Sequence, residues 1–250
     1  MSKQLLMYGK VEPVNKQRHA EWSIKAGDDF EFARDLNSVP LTAIEFPNAA
    51  EEYAVVFTEN DGAVMPVVIM GVREAENLYL DSEGVWQAKY VPAFVRRYPF
   101  VFSSADSGET LTLCLDEEFA GCNQDGRGER LFDADGEQTA YLQSVLEFLK
   151  DYQAHYRRTQ QFCAKLKELD ILEPMGAQYR TPDGERGSLS GFMAVNRDKL
   201  KALTGEQLEA LIKTDELELI YLHLQSMRNF GAMVSRISGE TAEETEGTEA

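Results

Sequence analysis

Two apolar runs, EYAVVFTE at residues 52–59 and VMPVVIMGV at 64–72, are separated only by NDGA. Asn, Asp and Gly accept positive φ at low cost. The break therefore reads as a tight hairpin turn and the runs as antiparallel partners. Pro66 has no N–H to give to a ladder, so it is expected at the start of its strand or at an edge. Downstream, NLYLD and VWQAKYVP flank the turn SEG, and YPFVFSS and TLTLCLD flank ADSGE. Short runs joined by short turns predict an antiparallel meander over about residues 52–116.

After a polar loop at 116–136 the apolar period changes. Tyr141, Leu142, Val145, Leu146, Leu149, Tyr152, Tyr156, Phe162, Leu166 and Leu169 recur at helical spacing, as one long helix or two in succession. ILEPMGAQYRTPDGERGS reads as a loop and LSGFMAVN as a returning strand. NRDKLKAL and TGEQLEALIK read as two short helices, the second capped by Thr204 with Gln207 three residues on. Residues 214–237 read as one further helix. Strands first and helices later is the α+β order, an antiparallel meander packed by C-terminal helices. Residues 1–237 are taken as a single domain. The tail from 238, with five glutamates and no aromatic residue, is expected to be disordered.

Composition narrows the function. The chain has 250 residues and a formal net charge of −18. That balance opposes phosphate-backbone binding, so no nucleic-acid partner is expected, and it opposes docking on an anionic membrane. No run approaches the ~18 apolar residues of a membrane span. Cys114, Cys122 and Cys163 are odd in number and have no CxxC spacing, which reads as reduced thiols. The N-terminus lacks the apolar stretch and cleavage site of a secretory signal. The reading is a cytoplasmic chain, with the cell surface reached by signal-less export as the alternative.

Linear chemistry motifs do not match. There is no phosphate-binding glycine loop. GSLSG at 187–191 has Leu189 where a nucleophile elbow needs serine. GCNQDGRGERLF ends on Phe132 where a calcium loop needs glutamate. His19, His155 and His223 are scattered, and no metal site or cofactor is expected from them. His19, close to Trp22, is the histidine for which a binding role stays open. No catalytic residue is assigned.

One stretch stands apart. YVPAFVRRYPFVF, residues 90–102, places Arg96 and Arg97 inside an apolar and aromatic run. Extended geometry would send them to opposite faces, one toward the packed side. A guanidinium there needs a carboxylate or several carbonyls. Glu45, itself a lone charge in AIEFPNAA, is the suggested partner. A buried Arg–Glu bridge is one reading. A second is a fork that receives a peptide C-terminus or small anionic ligand, with Arg96, Arg97, Glu45, His19 and Trp86 as candidate binding residues, and a third is plain surface exposure of the arginines. Trp86, after DSEG, is placed in the core by its position rather than on a ligand platform.

The blocks VPLTAIEFPNAAEEYAVVF, ENLYLDSEGVW, YVPAFVRRYPF, LCLDEE, RLFDADGEQT, LSGFMAVNRDKLKAL and LELIYLHLQSM together resemble the bacterial SapC family over about residues 8–235. The family takes its name from a surface-layer gene locus. The resemblance implies a non-enzymatic surface-layer-associated or accessory protein, with a surface-layer or other protein as partner. It offers no catalytic residue to carry across.

Overall fold

The computed structural model describes residues 7–104, 111–180, 184 and 186–238. The ADSGE turn and the acidic tail beyond Ser238 lie outside them.

In chain order the elements are β1 (Val11–Pro13), α1 (Lys16–His19), β2 (Ser23–Ile24), β3 (Ser38–Pro40), α2 (Phe46–Glu52), β4 (Ala54–Asn60), β5 (Ala63–Ile69), α3 (Ala93–Arg96), β6 (Phe100–Ser104) and β7 (Leu111–Asp116). They continue with β8 (Cys122–Asn123), β9 (Glu129–Arg130), α4 (Ala140–Glu168), β10 (Leu172–Arg180) and β11 (Arg186–Val195), then α5 (Arg197–Lys201), α6 (Gly205–Lys213), α7 (Glu216–Ser226) and α8 (Asn229–Ser235). The class is α+β, and every strand pair is antiparallel.

The β4–β5 hairpin forms as its turn residues require. Asp61 and Gly62 occupy the left-handed region at φ 50° and 80°, and pairing runs from Asn60↔Ala63 to Ala54↔Ile69. Pro66 lies inside β5, not at its start. It still sits at a local edge, because β3 ends its pairing at Pro40↔Val67 and only Leu41 N reaches the Pro66 carbonyl, at 3.0 Å. The ring thus occupies a place where no ladder donor is needed.

The meander is divided. β4 and β5 belong to a five-stranded sheet of order β10-β11-β4-β5-β3, whereas β6 and β7 join β1 in a separate three-stranded sheet. A small third sheet runs β8-β2-β9. The NLYLD and VWQAKYVP segments between them are not strands. Tyr79, Leu80 and Trp86 are buried there, but the segment follows an irregular path held by the isolated bridge Leu80↔Trp86. Within 171–188, expected as a loop, residues 172–180 supply β10 and residues 186–188 open β11. Most of β10 is exposed, so it carries no apolar alternation to read.

α4 is one helix of 29 residues, capped by Thr139, whose hydroxyl accepts from Leu142 N at 3.3 Å. It crosses β5, and α7 lies over β4 and β11. Val55, Val56, Phe57, Phe46, Phe162, Leu166 and Ile220 form the core between them. The expected Thr204–Gln207 capping box is formed on α6.

The single C-terminal helix expected over 214–237 is broken between α7 and α8. The break falls where polar side chains turn inward. Ser226 Oγ donates to His223 O at 2.7 Å and accepts from Val55 N at 3.0 Å. Asn229 Nδ2 donates to Ala50 O and Tyr53 O, both at 2.9 Å. Side-chain bonds of this kind compete with the helix ladder.

His223 completes the stitch. β11 meets β4 at the one pair Met193↔Phe57, and two residues further on the imidazole stands between the strands. Its Nε2 accepts from Val195 N at 3.0 Å and its Nδ1 donates to Val55 O at 2.7 Å. Both ring nitrogens are used, which requires the neutral Nδ1–H tautomer. Burial pushes its pKa down to about 4, Arg197 pushes the same way, and the bond to Val55 opposes them.

A histidine that titrates near 6.5 unfolded and near 4 folded contributes stability above pH 6.5 that is lost as pH falls toward 4. The loss is on the order of 3 kcal/mol. Urea melts between pH 7 and 5 are expected to show about 2 kcal/mol of this decline in the natural chain. In His223→Gln the slope above pH 5 should vanish, although that variant is less stable throughout. An equal slope in both chains would mean that His223 is not buried neutral.

Candidate functional site

The double arginine is not extended. Pro92, with φ −54°, leads into α3, and Arg97 N closes on Ala93 O at 3.1 Å. Consecutive side chains on a helical turn diverge by about 100°, not 180°. The expected asymmetry of the pair is present, but a helical turn produces it, not a strand. Arg97 is 6% exposed, and Arg96 is at the surface.

Glu45 holds this turn in place. It ends a 3-10 turn, Ala43–Glu45, and is 3% exposed. Its Oε2 accepts from Thr42 N at 2.8 Å and Thr42 Oγ1 at 2.7 Å. Its Oε1 accepts from Tyr90 Oη at 2.8 Å and Ala93 N, the first amide of α3, at 2.7 Å. These four bonds come from neutral groups of two chain segments, the local turn and residues 90–93. The carboxylate thus organises the arginine turn through Ala93 and Tyr90, where the sequence suggested a direct bridge to a guanidinium.

Arg97 is enclosed by rings. Its guanidinium lies 4.1 Å from the Phe94 ring centre, 5.2 Å from Tyr152 and 5.9 Å from Tyr8. Contacts of this kind stabilise a desolvated guanidinium by about 2 kcal/mol or more. Burial pushes the Tyr8 hydroxyl up to about 12, against the pull of the Arg97 charge. Tyr8 Oη donates to Phe100 O at 2.8 Å. Beside it the buried Asp116 carboxylate accepts from Gly9 N at 2.8 Å, Lys10 N at 3.0 Å and Tyr98 Oη at 3.2 Å. The acidic end of LCLD therefore ties the N-terminal segment to β7.

Arg96 has a different setting. Its Nε donates to Val91 O at 2.9 Å, and its Nη2 reaches Tyr90 Oη at 3.4 Å. The guanidinium lies 5.7 Å from the Tyr90 ring centre and 5.4 Å from that of Phe148. Among the described residues it forms no ion pair. It stands on the wall of a cleft of ≈ 380 Å³. Phe30, Phe32, Tyr98, Phe119, Tyr141 and Phe148 are among its lining residues, with Asp29, Ser144 and Arg97 as further polar groups. Tyr98 stacks on Phe32 at 4.1 Å and meets Phe119 edge-on at 5.3 Å, so the rings of this wall pack on one another. A mostly apolar cleft with few polar groups is the common form of a small-ligand or peptide-end site.

The structure places Arg96 and Arg97 on the cleft lining and Glu45 behind it, bonded to Tyr90 and Ala93, and leaves Trp86 and His19 outside the lining. Trp86 is 8% exposed and donates from Nε1 to Tyr53 Oη at 2.7 Å. It sits edge-on behind Phe30, at 5.5 Å, and acts as packing for the cleft wall. His19 is fully buried beside Trp22, its Nε2 3.3 Å from Glu117 Oε1 without hydrogen-bond alignment. Hydrogen bonds from Arg18 and then Lys10 hold the Glu117 carboxyl down at about 2.

The cleft aromatics escaped the sequence reading. Tyr141 belongs to the apolar stripe of α4 and Phe148 lies outside that stripe, yet both line the cleft and remain partly exposed. The three thiols are free, and burial pushes Cys122 and Cys163 up to about 12, away from the thiolate form. Among the described residues no cluster of His, Cys, Asp or Glu is arranged to hold a metal ion, and no helix is long and apolar enough to cross a membrane.

Fold and site together define an α+β protein with an aromatic cleft and one solvent-facing arginine at its edge. The chain belongs to the SapC family, whose profile matches residues 14–233. No curated protein and no solved structure matches it.

The two arginines are expected to separate in stability measurements. Arg97→Ala empties a ring-lined space and should cost about 2–5 kcal/mol. Arg96→Ala should stay within about 1 kcal/mol of the natural chain. Glu45→Gln, which weakens four hydrogen bonds at once, should cost on the order of 3 kcal/mol. Urea melts of the three variants check this. Equal, mild effects of both arginine changes would contradict the placement of Arg97.

Proposed function

We propose that this protein is a non-enzymatic binding protein whose cleft receives a monoanionic group carried on an apolar body, such as the C-terminal carboxylate of a peptide. The observation that carries the reading is Arg96, a guanidinium stacked on two rings at the edge of an aromatic cleft with no ion-pair partner among the described residues. Arginine presents planar donors suited to a carboxylate, and the rings offer apolar surface for the residue that bears it.

The net charge of −18 favours a single carboxylate over a polyanion. A strongly negative protein repels multiply charged ligands over long range, and a lone carboxylate on an apolar side chain suffers least. A surface-layer or other protein whose chain end enters the cleft would make this an accessory protein, the role that the family resemblance implies.

Pentapeptides ending in phenylalanine or leucine, with a free or an amidated C-terminus, are the probes. Binding to the native state raises stability by mass action, by about 2.7 kcal/mol at a hundredfold excess over Kd. The free-acid peptides are expected to raise the Tm, and the amides to do so far less. Arg96→Ala should abolish the difference with the unliganded Tm nearly unchanged. Absence of a shift with every peptide would count against the reading.

A further inference from the structure

We infer that Tyr90 is the positioning residue of this cleft: by closing one side of the Arg96 fork it leaves only the Nη1–Nη2 end for a ligand, which tunes the site to a planar carboxylate over a tetrahedral dianion. The inference rests on the binding reading above and deepens it.

A guanidinium can offer two pairs of donors, Nε with one Nη along its side, or both Nη at its end. In this protein the side pair is engaged internally. Nε donates to Val91 O at 2.9 Å and Nη2 points to Tyr90 Oη at 3.4 Å. The direction of the Tyr90 hydroxyl is set from behind. Its proton goes to Glu45 Oε1 at 2.8 Å, so its lone pairs face Arg96. Glu45 in turn is held by Thr42 and by Ala93 N. Burial and the Glu45 charge keep the Tyr90 phenol protonated far above its ordinary range, so this direction does not reverse near neutrality. Tyr90 is therefore the link between a fixed core carboxylate and a surface cation.

The charges nearby favour a small anion. Glu45 stands one residue behind Arg96, and Asp29 lies on the cleft lining. Arg97, the other cation of the lining, has its guanidinium over the Phe94 ring. One end-on fork meets the two oxygens of a carboxylate. A phosphonate dianion would bring a third oxygen and a second charge, with two carboxylates close by.

Isothermal titration calorimetry is run with one probe pair, a pentapeptide ending in phenylalanine and the same peptide with its terminal carboxylate replaced by a phosphonate. The natural chain is expected to prefer the carboxylate. Tyr90→Phe keeps the ring under Arg96 and removes only the hydroxyl. Carboxylate affinity should fall about two- to tenfold, the range for loss of one hydrogen bond, and phosphonate affinity should not fall with it. Arg96→Lys replaces the planar fork by a point charge at a surface position and should lose the preference while still binding. An unchanged carboxylate-to-phosphonate ratio in Tyr90→Phe, or a preference retained in Arg96→Lys, would overturn the inference and leave the binding reading standing. A natural chain that binds neither probe would overturn both.

Discussion

The buried carboxylate of Glu45 is the constraint on which the arginine region depends. A charged group in the interior is tolerated only when its oxygens are satisfied. Here the donors come from Thr42 in its own turn and from Tyr90 and Ala93, so one side chain joins two segments about 45 residues apart in sequence. By holding the first amide of α3 it sets where that helical turn begins. The turn then directs Arg97 into the ring cage and leaves Arg96 outside. Two adjacent, chemically identical residues thereby acquire opposite roles, one in packing and one at the cleft.

The same region is tied to the C-terminal helices by backbone-directed side chains. Glu45 is followed directly by α2, whose end carbonyls are reached by Asn229. Ser226 and His223 continue the contact along β4 to β11. These bonds satisfy backbone groups where the ladder between β4 and β11 is nearly absent, which is why polar residues lie on the inward face of α7 and α8. Trp86 and Tyr53 extend the network toward Phe30, so the cleft wall rests on the same buried frame.

Elements with strong local signals were legible in the sequence. The Asp61–Gly62 turn, the long apolar stripe of α4 and the Thr204–Gln207 box each depend on neighbours within a few residues, and each formed where expected. The unequal fate of the arginines was expected from extended alternation, whereas a helical turn produces it. That geometry was not legible, since Pro92 suits both the start of a helix and an extended segment. β10 was hidden because Pro174, Gly176 and an exposed surface remove every local strand signal. The meander was over-read because Tyr79, Leu80 and Trp86 are apolar for tertiary reasons in an irregular segment. The cleft was illegible for a similar reason. Its rings come from residues 30, 32, 98, 119, 141 and 148, and only the fold brings them together.

The division of labour between the two arginines is tested most directly by NMR observation of their Nε–H groups. Arg97 should show an Nε–H protected from solvent exchange and insensitive to a free-acid peptide. Arg96 should exchange much faster and shift when that peptide is added. Equal exchange rates for the two groups, or a peptide-induced shift confined to Arg97, would contradict the assignment of one arginine to the core and the other to the cleft.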